Sequence, residues 1–123
     1  MRARGRFTRN FVVQASAADW AVVFLADLRR RLSLHAMHHE SGAPVAPGAP
    51  HGAQPAATGG DGPPRLVFFQ HDEVIVHCPA GLADHVVAAV GEAAAEAGRL
   101  VFGPTPVRFP VTTAVVASYA DAK

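Results

Sequence analysis

Between residues 41 and 64 the chain carries six prolines and six glycines in 24 positions, with almost no large apolar side chain. Such a stretch cannot bury enough surface to offset the entropy lost on ordering it. It separates two patterned parts, 1–37 and 65–123, and residues 38–64 are expected to form a flexible surface insertion between them. A chain of 123 residues has room for one small domain and no more. No internal repeat is visible.

Composition narrows the class further. Half the residues are apolar, 17% are charged and the formal net charge is +1. That balance excludes a fully disordered polyelectrolyte, and it excludes a protein that holds nucleic acid by bulk charge alone. The single cysteine, Cys78, excludes a disulfide framework and a Cys-rich zinc site. No uninterrupted apolar run reaches the roughly 18 residues of a membrane span. The basic start, Met1 to Arg6, has no apolar core behind it, so it does not read as a secretory leader. A soluble, reducing, cytoplasmic setting is the expectation. Ten arginines against one lysine, and 25 alanines, reflect a GC-rich coding bias rather than a function.

The first part predicts a helix from about Gln14 to about Leu34. Ser16-Ala17-Ala18-Asp19 has the form of a capping box. Trp20, Phe24, Leu28 and Leu32 then recur every four residues, with Val23 alongside, as one face of a helix requires. Arg29, Arg30 and Arg31 near its end suit the helix dipole; they could touch phosphate, but read more simply as a solvated helix end.

The second part opens with two apolar runs, Arg65–Gln70 and Glu73–Cys78, around the polar pair His71-Asp72. This pattern predicts a β-hairpin with a tight turn that lacks the usual glycine. Asp tolerates strained backbone better than most residues, so a turn of this composition points beyond mere connection. Leu82, Val86, Val90 and Ala94 mark a second helix, with Gly98 as its expected terminator. Pro104, Pro106 and Pro110 mark a loop before a strand expected over Val111–Val116. Helix, hairpin, helix and strand in that order predict an α+β fold, with an antiparallel sheet packed on two main helices.

Two adjacent carboxylates, Asp72 and Glu73, fall at the hairpin tip, where a side chain is exposed and rigidly carried, as a magnesium ligand must be. Taken alone, the pair reads more simply as an acidic turn facing solvent, since polar turns are common. Set between apolar strands, however, His71-Asp72-Glu73 resembles motif C of the family A DNA polymerases, the bacterial DNA polymerase I group. Upstream, Arg6, Asn10 and Gln14 stand at intervals of four. The family places arginine, asparagine and glutamine at that spacing just before a helix. Gln14-Ala15-Ser16-Ala17-Ala18-Asp19 is similar to the family's Q-G-T-A-A-D. The resemblance covers most of the chain apart from 38–64 and leans to the bifunctional 3′–5′ exonuclease/DNA polymerase branch.

The resemblance implies a segment of polymerase palm. It gives Asp72 the role of ligand to two catalytic Mg²⁺ ions, which clamp the attacking and leaving oxygens of an in-line displacement. It gives Glu73 a supporting role at that site and sets His71 close to the primer terminus. Arg6, Asn10 and Gln14 become a DNA-binding track along the minor groove. Correct base pairs all present N3 or O2 acceptors there, so N–H donors can follow any matched duplex without reading its sequence. The implied partners are primer–template DNA, a dNTP and the missing N-terminal palm, fingers and thumb. The implied setting is the nucleoid, in replication and repair.

Departures set limits. Ala15-Ser16 replaces Gly-Thr, and 38–64 is longer than the family's connection. No copy of the first acidic motif, roughly D-Y-S-Q-I-E-L-R, is present, and no fingers helix with R-x-x-x-K. The isolated chain, either a truncated reading frame or one part of a split polymerase, is therefore expected to lack activity. An orphaned palm piece should also leave Trp20, Phe24 and a sheet face as an apolar patch. The competing expectations are a small non-enzymatic α+β module that contacts DNA or protein, and a metal-binding protein using His35, His38 and His39 beside Glu40. His77 and Cys78 are adjacent and should point to opposite faces of a strand, which favours packing over a nucleophile pair.

Overall fold

The computed structural model describes residues 2–40 and 62–122, the side chains within 2–10 and 35–40 excepted. Its elements are helix α1 (Arg2–Glu40), strands β1 (Arg65–Gln70) and β2 (Glu73–His77), and helix α2 (Ala83–Phe102). Short 3-10 turns at Ala80–Leu82 and Tyr119–Ala122 complete the set. The fold is α+β: two helices and a two-stranded antiparallel sheet.

The core is the seam between the helices. Phe24, Leu28 and Leu32 of α1 are buried against Val86, Ala89, Val90, Ala93, Ala94 and Ala97 of α2. The four-residue spacing puts the first three on one stripe. The small side chains of α2 let its backbone come close, so the long side chains of α1 fill the space between. Leu66, Val74, Val76 and Cys78 of the hairpin pack on the edge of this cluster.

Helix α1 is longer at both ends than the sequence pattern predicts. At 39 residues it spans about 58 Å. Ser16 does not cap it. Its hydroxyl instead donates to the carbonyl of Val12, 3.0 Å away, the bond a serine makes in mid-helix. Between Phe7 and Gln14 neither proline nor glycine stops the helix from continuing upstream. At the other end it runs to Glu40, past the expected helix end near Leu34 and the segment boundary at 37. The Phe11–Leu34 portion has mean hydropathy 1.5 and, by length and composition, could cross a membrane even without an unbroken apolar run. A mostly buried core helix and a signal sequence meet the same criterion; here only 11% of that stretch is buried, with Phe24, Leu28 and Leu32 against α2. Of the insertion expected at 38–64, residues 41–61 lie outside the described residues.

Asp27 ties the seam's flank. Its Oδ1 accepts from Arg30 Nη2 and its Oδ2 from Arg31 Nε, each at 2.6 Å. Burial pushes its pKa up, but the hydrogen bonds from Arg31 and Arg30 outweigh this and hold the carboxyl below its ordinary 3.8. Arg31 also reaches Glu92 of α2, linking the two helices at the surface. Glu92 is 63% exposed, so that link contributes at most about 1 kcal/mol.

Two expectations for the C-terminal part are corrected. Gly98 does not end α2. Gly103 does, at φ 66°, with its N–H donating to the Arg99 carbonyl at 3.0 Å and Pro104 following. Gly98 is buried in the helix instead, and a Cβ built on it would stand 2.7 Å from the Phe109 ring. Val111–Val116 is not a strand but irregular and exposed. A β-branched run needs a partner edge to become one, and the sheet contains only β1 and β2.

Phe109 anchors this segment. Its ring stacks on Trp20 at 5.6 Å and on Phe102 at 5.2 Å, and Trp20 stacks on Phe24 at 5.2 Å. The expected bare patch at Trp20 and Phe24 is thus covered. The exposed large apolar groups lie elsewhere, among them Phe11, Val12, Val13, Phe68, Phe69 and Val115. Replacing Gly98 by Ala tests the anchor. Alanine gains up to about 1 kcal/mol of helix propensity, while the new methyl must displace Phe109. We expect little change in helix content but a clear shift in the emission of Trp20, the only tryptophan. An unchanged emission spectrum would place Phe109 elsewhere.

Candidate functional site

The hairpin tip is built as the sequence predicts. β1 and β2 pair through Gln70↔Glu73, Phe69↔Val74 and Phe68↔Ile75, which leaves His71-Asp72 as a two-residue turn. A register shift between Leu66 and Phe68 puts a bulge at Val67, so the two ends of β1 are in different pairing phase. The strained position is His71, at φ 55°, and not the aspartate. Histidine enters this left-handed region more readily than most side chains, at a cost of about 1–2 kcal/mol. With His71 turned over, Asp72 keeps ordinary backbone and stands exposed at the apex.

The two carboxylates differ in their surroundings. Among the described residues no hydrogen bond or ion pair reaches Asp72. Glu73 Oε1 accepts from Tyr119 Oη at 3.0 Å. That bond, with burial adding to it, raises the tyrosine's pKa. It also ties the C-terminal segment to the hairpin tip across 46 positions of sequence. No spacing or motif signals such a contact.

The tip is expected to carry one metal ligand, Asp72, with Glu73 in a supporting role. Among the described residues no group of three or more His, Cys, Asp or Glu side chains comes together.

The track residues sit on α1. Positions 6, 10 and 14 follow one another along one side of the helix, inside it and not just before it. Gln14 is exposed. The side chains of Arg6 and Asn10 lie outside the described set, as do those of His35, His38 and His39, whose backbone closes α1. The root of the hairpin meets α1 at Arg29, Leu32 and Ser33. That is about 22 Å of helix beyond Gln14. No hydrogen bond or ion pair among the described residues joins Asp72 to Gln14. The tip and the track thus stand on two different elements, the hairpin and α1.

His77 and Cys78 do part as expected, His77 exposed and Cys78 packed on the core. Burial pushes the Cys78 thiol up, away from the thiolate that a nucleophile needs.

No family model matches the chain, and neither does any curated protein or any solved structure.

Proposed function

We propose that this chain is the C-terminal palm segment of a family A, DNA-directed DNA polymerase. In this reading it acts in the cytoplasm, at the nucleoid, in Mg²⁺-dependent primer extension during replication or repair, and only together with the missing palm, fingers and thumb. The observation that carries the reading is the hairpin apex. A two-residue turn, strained at His71, lifts Asp72 into solvent with no partner among the described residues. A carboxylate there is rigidly carried and free to meet a cation that another chain's carboxylates complete. Glu73 follows it at the first pair of the ladder, held by Tyr119. In this reading His71 lies close to the primer end. Arg6, Asn10 and Gln14 supply donors for the minor groove of primer–template DNA, from a helix whose first half also exposes Phe11, Val12 and Val13.

Complementation tests the reading. The chain is mixed with a polymerase fragment that carries the first acidic motif and the fingers helix but lacks motif C. Primer extension with dNTP and Mg²⁺ should appear only in the mixture. Extension that never exceeds that of the fragment alone, although the two parts bind each other, counts against the assignment.

A further inference from the structure

We infer that a cleft at the root of the hairpin binds a phosphoryl group. Arg29, Leu32 and Ser33 on one side of α1 face Pro64, Arg65 and Leu66 at the start of β1 around a cleft of about 270 Å³. It lies at the opposite end of β1 from Asp72, about 17 Å along the strand, and does not depend on what the apex does.

Charge accounting singles this cleft out. Three consecutive arginines close the apolar stripe of α1. Arg30 is neutralised by Asp27, and Arg31 by Asp27 and Glu92. Arg29 has no carboxylate partner among the described residues, and neither has Arg65. The fold nonetheless brings these two, 36 positions apart in sequence, to the rim of one cleft. Like charges gathered over an apolar floor of Leu32, Pro64 and Leu66 repel one another unless an anion lies between them. Buried Leu32 and Pro64 keep the floor dry on one side.

The donor set selects the anion. One guanidinium fork already satisfies a carboxylate through both oxygens. Two forks available at one cleft match a tetrahedral group with three or four oxygens. The Ser33 hydroxyl donates to the Arg29 carbonyl at 2.9 Å, so it offers the ligand only an acceptor. A phosphoryl group carrying a hydroxyl-bearing body fits that arrangement. Such a group could come from a small phosphate monoester or from a nucleic-acid backbone.

The test is an NMR titration of the arginine Nε–Hε resonances of the full chain, with inorganic phosphate as the probe. We expect saturable shifts at Arg29 and Arg65. R29Q and R65Q each remove a charge-assisted bond and should weaken binding about tenfold. R108Q removes the same charge from an exposed position on the C-terminal segment and should leave affinity within about twofold of the parent. A short DNA duplex is then added to the phosphate-bound chain. Competitive displacement assigns the cleft to backbone phosphates, and its absence assigns it to a small phosphate monoester. Shifts that rise linearly without saturating, or an R29Q or R65Q affinity equal to that of R108Q, would overturn the proposal.

Discussion

Leu28→Ala is expected to lose about 2–5 kcal/mol of stability. Leu28 is the largest side chain in the structure that is fully buried. Truncating it removes the transfer free energy of its methyl groups and opens a void that only partial collapse can refill. Collapse is poor here because the facing surface of α2 is largely alanine: Ala89, Ala93, Ala94 and Ala97 have no longer rotamer to swing into the gap. A domain of this size has about 5–15 kcal/mol in total. A fall in Tm of about 10–30 °C follows, read by far-UV circular dichroism and by Trp20 emission. Val22→Ala is the control, since Val22 is 67% exposed and should change stability by less than about 0.5 kcal/mol. If Leu28→Ala melted with the parent, the α1–α2 seam would not be what holds the fold.

That seam was legible in the sequence because burial leaves a periodic trace. Trp20, Phe24, Leu28 and Leu32 repeat at the pitch of a helix, and the hairpin strands flank a polar pair at the distance that a two-residue turn sets. Features without a period were harder. The strand expected at Val111–Val116 followed from β-branched composition, but a strand exists only beside another, and none runs there. Gly98 and Gly103 look alike in sequence, and the difference lies in Phe109, which lands on the first and leaves the second free to terminate α2. The capping box at Ser16 failed because local chemistry cannot tell a helix start from a helix already under way. At the candidate site the turn and its exposed aspartate were readable. The Tyr119–Glu73 bond and the Arg29–Arg65 cleft were not, because long-range contacts between single side chains leave no spacing signal.

Asp72→Asn should abolish the complemented activity while leaving the chain folded and bound. The substitution keeps the size of the side chain and removes its charge. Because Asp72 is exposed and has no hydrogen bond or ion pair among the described residues, its loss costs the fold almost nothing. The hairpin is held by its ladder and by Val74 and Val76 on the core, and neither changes. In a palm assembled with its missing part, a carboxylate that helps hold the catalytic cation supports several kcal/mol of transition-state stabilisation. Losing about 4 kcal/mol slows extension roughly a thousandfold. Binding of primed duplex, carried by Arg6, Asn10 and Gln14 in this reading, should stay within about twofold. Glu73→Gln should be milder in activity, because Glu73 takes part through its bond with Tyr119, and it should loosen the C-terminal segment as well. The two readouts separate the roles. A thousandfold loss with binding intact places Asp72 at the reaction. Equal losses in binding and in rate make the apex a docking contact instead, and full activity in Asp72→Asn removes the turn from the chemistry and the polymerase reading with it.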